Sequence, residues 1–151
     1  MKNLKVVVVT ALLTVAWTGL VYAHGKDPSP EEAAYIARDG LMHLIVAQRG
    51  ILRDMADGKK PVVRREFVRA ANTLAYLFST IPGAFEKNVT VADSRSKPEI
   101  WQNWDDFVAK AQNLRVVAAE IAAIADISGV DAAKDKIADI DCGSCHTPYR
   151  K

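Results

Sequence analysis

Two cysteines, three histidines, eight glycines and six prolines are all that this 151-residue chain holds of the residues that build disulfide scaffolds, metal clusters and flexible linkers. Two cysteines cannot staple a small disulfide-rich fold. With charged residues at 25% and little glycine or proline, the composition is neither collagenous nor disordered. No block of five like charges occurs anywhere, which argues against nucleic acid or anionic lipid as a partner. Internal repeats are absent, and β-branched runs are few beyond the first 20 residues. What remains is a chain half apolar and rich in alanine and leucine, long enough for one domain with one core. That composition points to an all-α fold.

The N-terminus has the form of a secretory signal peptide. Lys2 and Lys5 make a short positive region, Val6 to Leu20 is apolar and uncharged, and Val21-Tyr22-Ala23 offers small residues at a cleavage site. Residues 1–23 are therefore expected to be removed, leaving a domain of 24–151, no stable membrane anchor and a periplasmic location. The whole chain has 20 Lys+Arg and 18 Asp+Glu; losing the two leader lysines brings the mature formal charge to zero.

Helical periodicity accounts for most of the rest. Ser29 can cap a helix, Pro30 suits its first position, and Glu31 and Glu32 favour the positive end of its dipole. Ile36, Leu41, Leu44, Ile45, Ile51, Leu52 and Met55 then recur at three- and four-residue steps until Asp57-Gly58-Lys59-Lys60-Pro61. A second helix is predicted from Val62 to Thr80, ended by Ile81-Pro82-Gly83. Residues 83–97 have no clear period. A third helix is expected from Lys97-Pro98-Glu99 to Ile127, with Trp101, Trp104 and Phe107 in its core, and Ser128-Gly129 breaks it. A fourth runs from Asp131 into the cysteines. Together these predict an antiparallel up-down-up-down four-helix bundle following the signal peptide.

Both cysteines lie in Cys142-Gly143-Ser144-Cys145-His146, the C-x-x-C-H pattern of c-type haem attachment. Two thiols separated by two residues can add to two vinyl groups on one edge of the macrocycle. The next residue then faces the ring, and its imidazole can reach the iron. A redox dithiol usually opens a helix after a strand, and no strand is evident here. Structural zinc wants four ligands, and only His24 and His43 remain as further histidines. A plain disulfide would form if haem were never attached. Export, helical context and the adjacent histidine favour one covalent haem c on Cys142 and Cys145, with His146 on the iron.

On these residues the chain resembles the cytochrome c-prime family, and within it the low-spin cytochrome c-556 type. The resemblance rests on Cys142 to Arg150 read as C-x-x-C-H-x-x-Y-R near the C-terminus, on Pro98-Glu99-Ile100-Trp101 opening the third helix, and on Arg38 in the first. It implies haem between the first and fourth helices, Arg38 beside it, and Met42, four residues on, facing the iron as the second axial ligand. The i, i+4 spacing puts Arg38 and Met42 on one helix face. Arg38 would pair with a propionate, and Arg150 would lie near the haem histidine. His43 is turned about 100° from Met42, so both cannot face the iron. Pro148 disfavours helix at Thr147 and leaves the placement of Tyr149 and Arg150 open.

Two functions follow from the resemblance. Met42/His146 ligation implies one-electron transfer with an unidentified redox partner protein. If Met42 does not ligate, a five-coordinate site would bind small gases such as nitric oxide. No nucleophile–base pair or acidic dyad suggests an enzyme. Relatives in the family also pair through their first two helices, which would make a homodimer.

Overall fold

The computed structural model describes residues 27–151; the expected signal peptide and His24 lie outside the described residues. The chain forms four limbs. The first is α1 (Pro30–Ala56) and the second α2 (Arg64–Phe85); the third joins the short α3 (Glu99–Gln102) to α4 (Trp104–Ser128). The fourth is segmented into α5 (Val130–Ala133), a 3-10 turn at Asp135–Asp139 and α6 (Gly143–Tyr149). This is the expected antiparallel four-helix bundle.

Ser29 caps α1 as its sequence suggests. The Glu32 amide donates to Ser29 Oγ at 3.2 Å and the Ser29 amide donates to Glu32 Oε2 at 2.8 Å, a reciprocal capping box. At the far end the chain turns through Gly58, whose φ of +72° lies in the left-handed region that glycine enters at no steric cost. The core-facing stripe of α1 is narrower than its periodicity suggests. Leu41, Ile45, Leu52 and Met55 are buried, whereas Ile36 and Leu44 are more than half exposed. A spacing rule admits residues at the edge of the stripe, and only packing excludes them.

α2 also departs from expectation. It does not stop at Ile81 but continues through Pro82 to Phe85. Proline removes one helical N–H, yet the extra turn buries Ile81 and Phe85, and that burial sustains it. α2 packs most extensively on α4, where Ala111, Ala118, Ala122 and Ala125 are buried, and next on α1. Small side chains let those backbones approach closely. Phe67, Leu74 and Phe78 of α2 fill the centre.

The fourth limb is not the single helix expected from Asp131 onward. The Ile140 and Asp141 amides bond only two or three residues back, to Ile137 and Asp139, so the α-helical ladder lapses before the cysteines. A fresh helix starts there. Asp141 Oδ1 accepts from the Gly143 amide at 2.8 Å, and Ser144 Oγ donates to the Asp141 carbonyl at 2.7 Å. Pro148 lies inside α6, whose last turn is nonetheless closed by the Arg150 amide on the His146 carbonyl at 3.0 Å.

The segment between α2 and α3 has no regular structure, but it is fastened at both ends. Buried Arg38 of α1 donates from Nε to the Ala84 carbonyl (2.9 Å), from Nη1 to Val89 (2.6 Å) and from Nη2 to Lys87 (2.6 Å). Its guanidinium also lies 4.8 Å from the Phe85 ring centre and 5.5 Å from that of Trp101. Trp101 Nε1 donates to the Phe85 carbonyl at 2.8 Å. Further on, Ser96 pairs with Arg150 as an antiparallel bridge, flanked by Lys97 N to Tyr149 O (3.0 Å) and Lys151 N to Arg95 O (2.8 Å). Truncation of Arg38 to alanine leaves three carbonyls without their donor. Arg38→Ala is expected to cost about 2–4 kcal/mol in guanidinium-induced unfolding, against under about 0.5 for the exposed Ile127→Ala.

Candidate functional site

α1 makes its close backbone contacts with α2, and α6 makes its own with α3 and α4. α1 and α6 therefore face each other across a gap. That gap is a cavity of about 390 Å³, and its walls hold most of the residues singled out in the sequence. Arg38, Met42 and Ile45 line one side, at helical steps of four and three on α1. Cys142, Cys145, His146, Tyr149 and Arg150 line the other. Phe78, Ile81 and Phe85 of α2, with Ile100, Phe107 and Leu114 from the third limb, give the cavity an apolar floor, and polar side chains stand at its rim.

The donor set suits a covalent haem c. Neither cysteine is in a disulfide, both are half-buried, and both pack against the apolar core. Burial pushes the Cys145 thiol up, so it stays protonated at neutral pH. The first turn of α6 sets the two sulfurs and the imidazole on the same wall, with the His146 amide bonded to the Cys142 carbonyl at 3.0 Å. Burial foremost, then the charges of Arg150 and Arg95, hold the His146 imidazole below its usual 6.5. It is thus neutral at pH 7, the form with a lone pair for a metal. Met42, half-buried and packed on the core, lines the opposite wall.

The other histidine of this wall is held differently. His43 has a side chain 77% exposed, and its Nδ1 lies 3.3 Å from Asp39 Oδ2 and 2.9 Å from the Asp39 carbonyl. Local bonds thus tie its ring back to its own helix, at the solvent-exposed edge of the cavity that it and Asp39 also line. Arg38 does line the cavity, but three of its five N–H groups are spent on the 84–89 carbonyls. Only the remaining two are left for a carboxylate.

Pro148 leaves the place of Tyr149 open in the sequence, and the fold supplies it. It is buried, edge-on to Phe107 with ring centres 5.4 Å apart, and its hydroxyl donates to Asp106 Oδ2 at 2.5 Å. Burial first, and then the Asp106 carboxylate, push its pKa up to about 12. Asp106, held low by Lys110 and by Tyr149, stays ionised as the acceptor. The pair sits i, i+43 in sequence, and no local pattern announces it. Asp93, Ser94 and Arg95 also reach the cavity from the irregular segment, where periodicity had nothing to offer.

Comparison with known proteins agrees with this geometry. The profile of the family described as Cytochrome C′ matches residues 33–150. A cytochrome c-556 of Agrobacterium fabrum is 32% identical over 150 residues, covering 98% of this chain and 96% of its own. A cytochrome c-554 of Cereibacter sphaeroides is 33% identical over 135 residues, covering 85% of this chain and 88% of its own. Among solved structures, a nitrosyl complex of a cytochrome c prime variant from Alcaligenes xylosoxidans superposes with a TM-score of 0.73 at 23% identity, over 82% of this chain and 98% of the other. Two half-buried thiols and a neutral imidazole in one cavity of the bundle, in a chain that the profile matches from residue 33 to residue 150, make this protein a member of the cytochrome c′ family carrying one covalently attached haem.

Proposed function

We propose that this protein is an electron carrier whose haem iron is held by His146 and Met42. The observation that supports the reading is that Met42 of α1, on the helix face that also carries Arg38, and His146 of α6 line the same cavity. Haem supplies a one-electron ferric/ferrous couple, and Met/His ligation raises its reduction potential. The chain does the rest by orientation and exclusion. Cys142 and Cys145 would hold the haem to α6 through thioethers, His146 would offer it a neutral imidazole, and Met42 would offer a soft thioether that suits both oxidation states. Phe78, Phe85 and Phe107 keep water from the ring. Tyr149, locked to Asp106, stiffens the wall behind the imidazole rather than reacting. No side chain is asked to make or break a bond in a substrate.

The full-length relatives named c-556 and c-554 support this reading over the gas-binding one, since the c-556 type is the branch whose resemblance implies methionine. A periplasmic setting fits the N-terminal pattern of residues 1–23 and the oxidising chemistry of haem attachment. Among the described residues no helix is long and apolar enough to cross a membrane. Ile36 and Leu44 on α1 and Tyr76 on α2 are exposed apolar side chains on the two helices through which two copies would pair.

Met42→Leu tests the ligand directly. The wild type should give sharp low-spin visible spectra that resist nitric oxide, and the variant a high-spin spectrum that changes on adding the gas. Identical spectra would remove Met42 from the iron and leave the gas-binding reading. Replacement of Cys142 and Cys145 by alanine should yield protein that releases its haem into acidified butanone, which wild type should retain. A pH titration reads His146. Its proton affinity is lowered, so the neutral ligand persists as pH falls past 6.5, and loss of the low-spin bands should set in only below that value. Loss at or above 6.5 would contradict the placement of its imidazole among Arg95, Arg150 and the apolar wall.

A further inference from the structure

The mature chain is formally neutral, yet its charge is not evenly spread around the haem cavity. The bridge between Ser96 and Arg150 lays two short segments side by side, residues 93–97 and 147–151. Together their side chains hold Arg95, Lys97, Arg150 and Lys151 against one acid, Asp93, a side-chain excess of three positive charges. Arg95 and Lys151 are exposed, and Lys97 and Arg150 are half-exposed.

Of the thirteen other described cations, six are neutralised on the spot and seven, scattered over α1, α2, α4 and the segment after α2, are not. Lys59, Lys60, Arg64, Lys110, Lys134 and Lys136 all sit within ion-pair distance of an Asp or Glu. None of the four rim cations does so among the described residues, and residues 1–26 contain no acid that could serve them. Lys97 Nζ donates instead to the Thr147 carbonyl at 3.2 Å, which leaves its charge uncompensated. Two of them reach the site itself, since Arg95 and Arg150 line the same cavity as His146. An apolar element lies on the same cavity: Val46 of α1, 68% exposed.

We propose that Arg95, Lys97, Arg150 and Lys151 form the docking face for the acidic surface of a redox partner protein, which approaches the haem over the rim of the cavity. This rests on the electron-carrier reading. An apolar spot beside a charged rim is ordinary interface anatomy. Uncompensated charge of one sign mainly speeds encounter and orients it, as a carrier that must bind briefly requires. The cations sit on two bridged segments beside the imidazole rather than along an amphipathic helix, which favours a protein over a lipid surface. The transfer itself balances simply: one electron leaves the partner's reduced centre, ferric iron becomes ferrous, and no proton or bond moves.

The test is stopped-flow reduction of the ferric holoprotein by a reduced plant-type ferredoxin, an acidic one-electron donor, across a series of salt concentrations. Lys97→Glu combined with Lys151→Glu is compared with Lys59→Glu combined with Lys60→Glu, an equal charge change at the turn between α1 and α2. The rim variant should react about tenfold more slowly at low salt, with the gap closing as screening sets in, while the turn variant slows less than about twofold. Unaltered visible spectra in both variants exclude damage to the haem site. Equal slowing in both would reduce the effect to net charge and overturn the proposal, as would no slowing in either. So would rim-dependent binding to phosphatidylserine vesicles with ferredoxin rates unmoved. The ratio of the two rates reads encounter whichever ligand holds the iron, so the proposal and the Met42 assignment fail separately.

Discussion

A helix held away from its neighbour makes this site. α1 packs chiefly on α2 and is tied through Arg38 to carbonyls at and just beyond the end of α2, while toward the limb that carries the cysteines it reaches with Arg49, whose guanidinium donates to the Ile140 carbonyl at 3.5 Å. The three Arg38 bonds, sandwiched between Phe85 and Trp101, set where α1 stands and so how wide the cavity opens. Everything that faces across the gap inherits that width. Met42 lies one turn from Arg38, and its reach toward the opposite wall depends on a residue that need not touch the iron.

The opposite wall is held with similar economy. α6 is only seven residues long, too short to be stable alone. It is braced at its start by Asp141, behind by the Tyr149–Asp106 hydrogen bond, and beyond its end by the bridge from Arg150 to Ser96. The irregular segment between α2 and α3 thus joins both walls, tied to α1 at residues 84–89 and to the chain end at 95–97. A covalent cofactor demands this. Sulfur and imidazole positions that drift would strain the thioethers, whereas a fixed wall lets them form without distortion.

What could be read from the residues alone divides by range. The cysteine pair with its histidine spans five residues, and the chemistry of attachment dictates that spacing, so it was legible without any fold. The cap at Ser29 and the breaks at Gly58 and Gly129 were equally local. Ile36 and Leu44 fitted the period of α1 but lie outside the core, because periodicity cannot tell the edge of a stripe from its centre. Pro82 suggested a helix end, yet burial of Phe85 outweighed one missing bond. The break before Cys142 and the anchoring of residues 84–97 were hidden for one reason. Both depend on partners far along the chain or on caps that only the folded backbone presents, and Arg38 carries no mark in the sequence of the carbonyls it will meet.

The proton NMR spectrum of the reduced holoprotein tests the central claim most directly, because a methionine methyl seated over the macrocycle feels its full ring current. With Met42 and His146 on a low-spin ferrous iron, the spectrum should be diamagnetic and sharp, with a three-proton resonance upfield of every other methyl and absent from Met42→Leu. A broad, paramagnetically shifted spectrum without that resonance would contradict it.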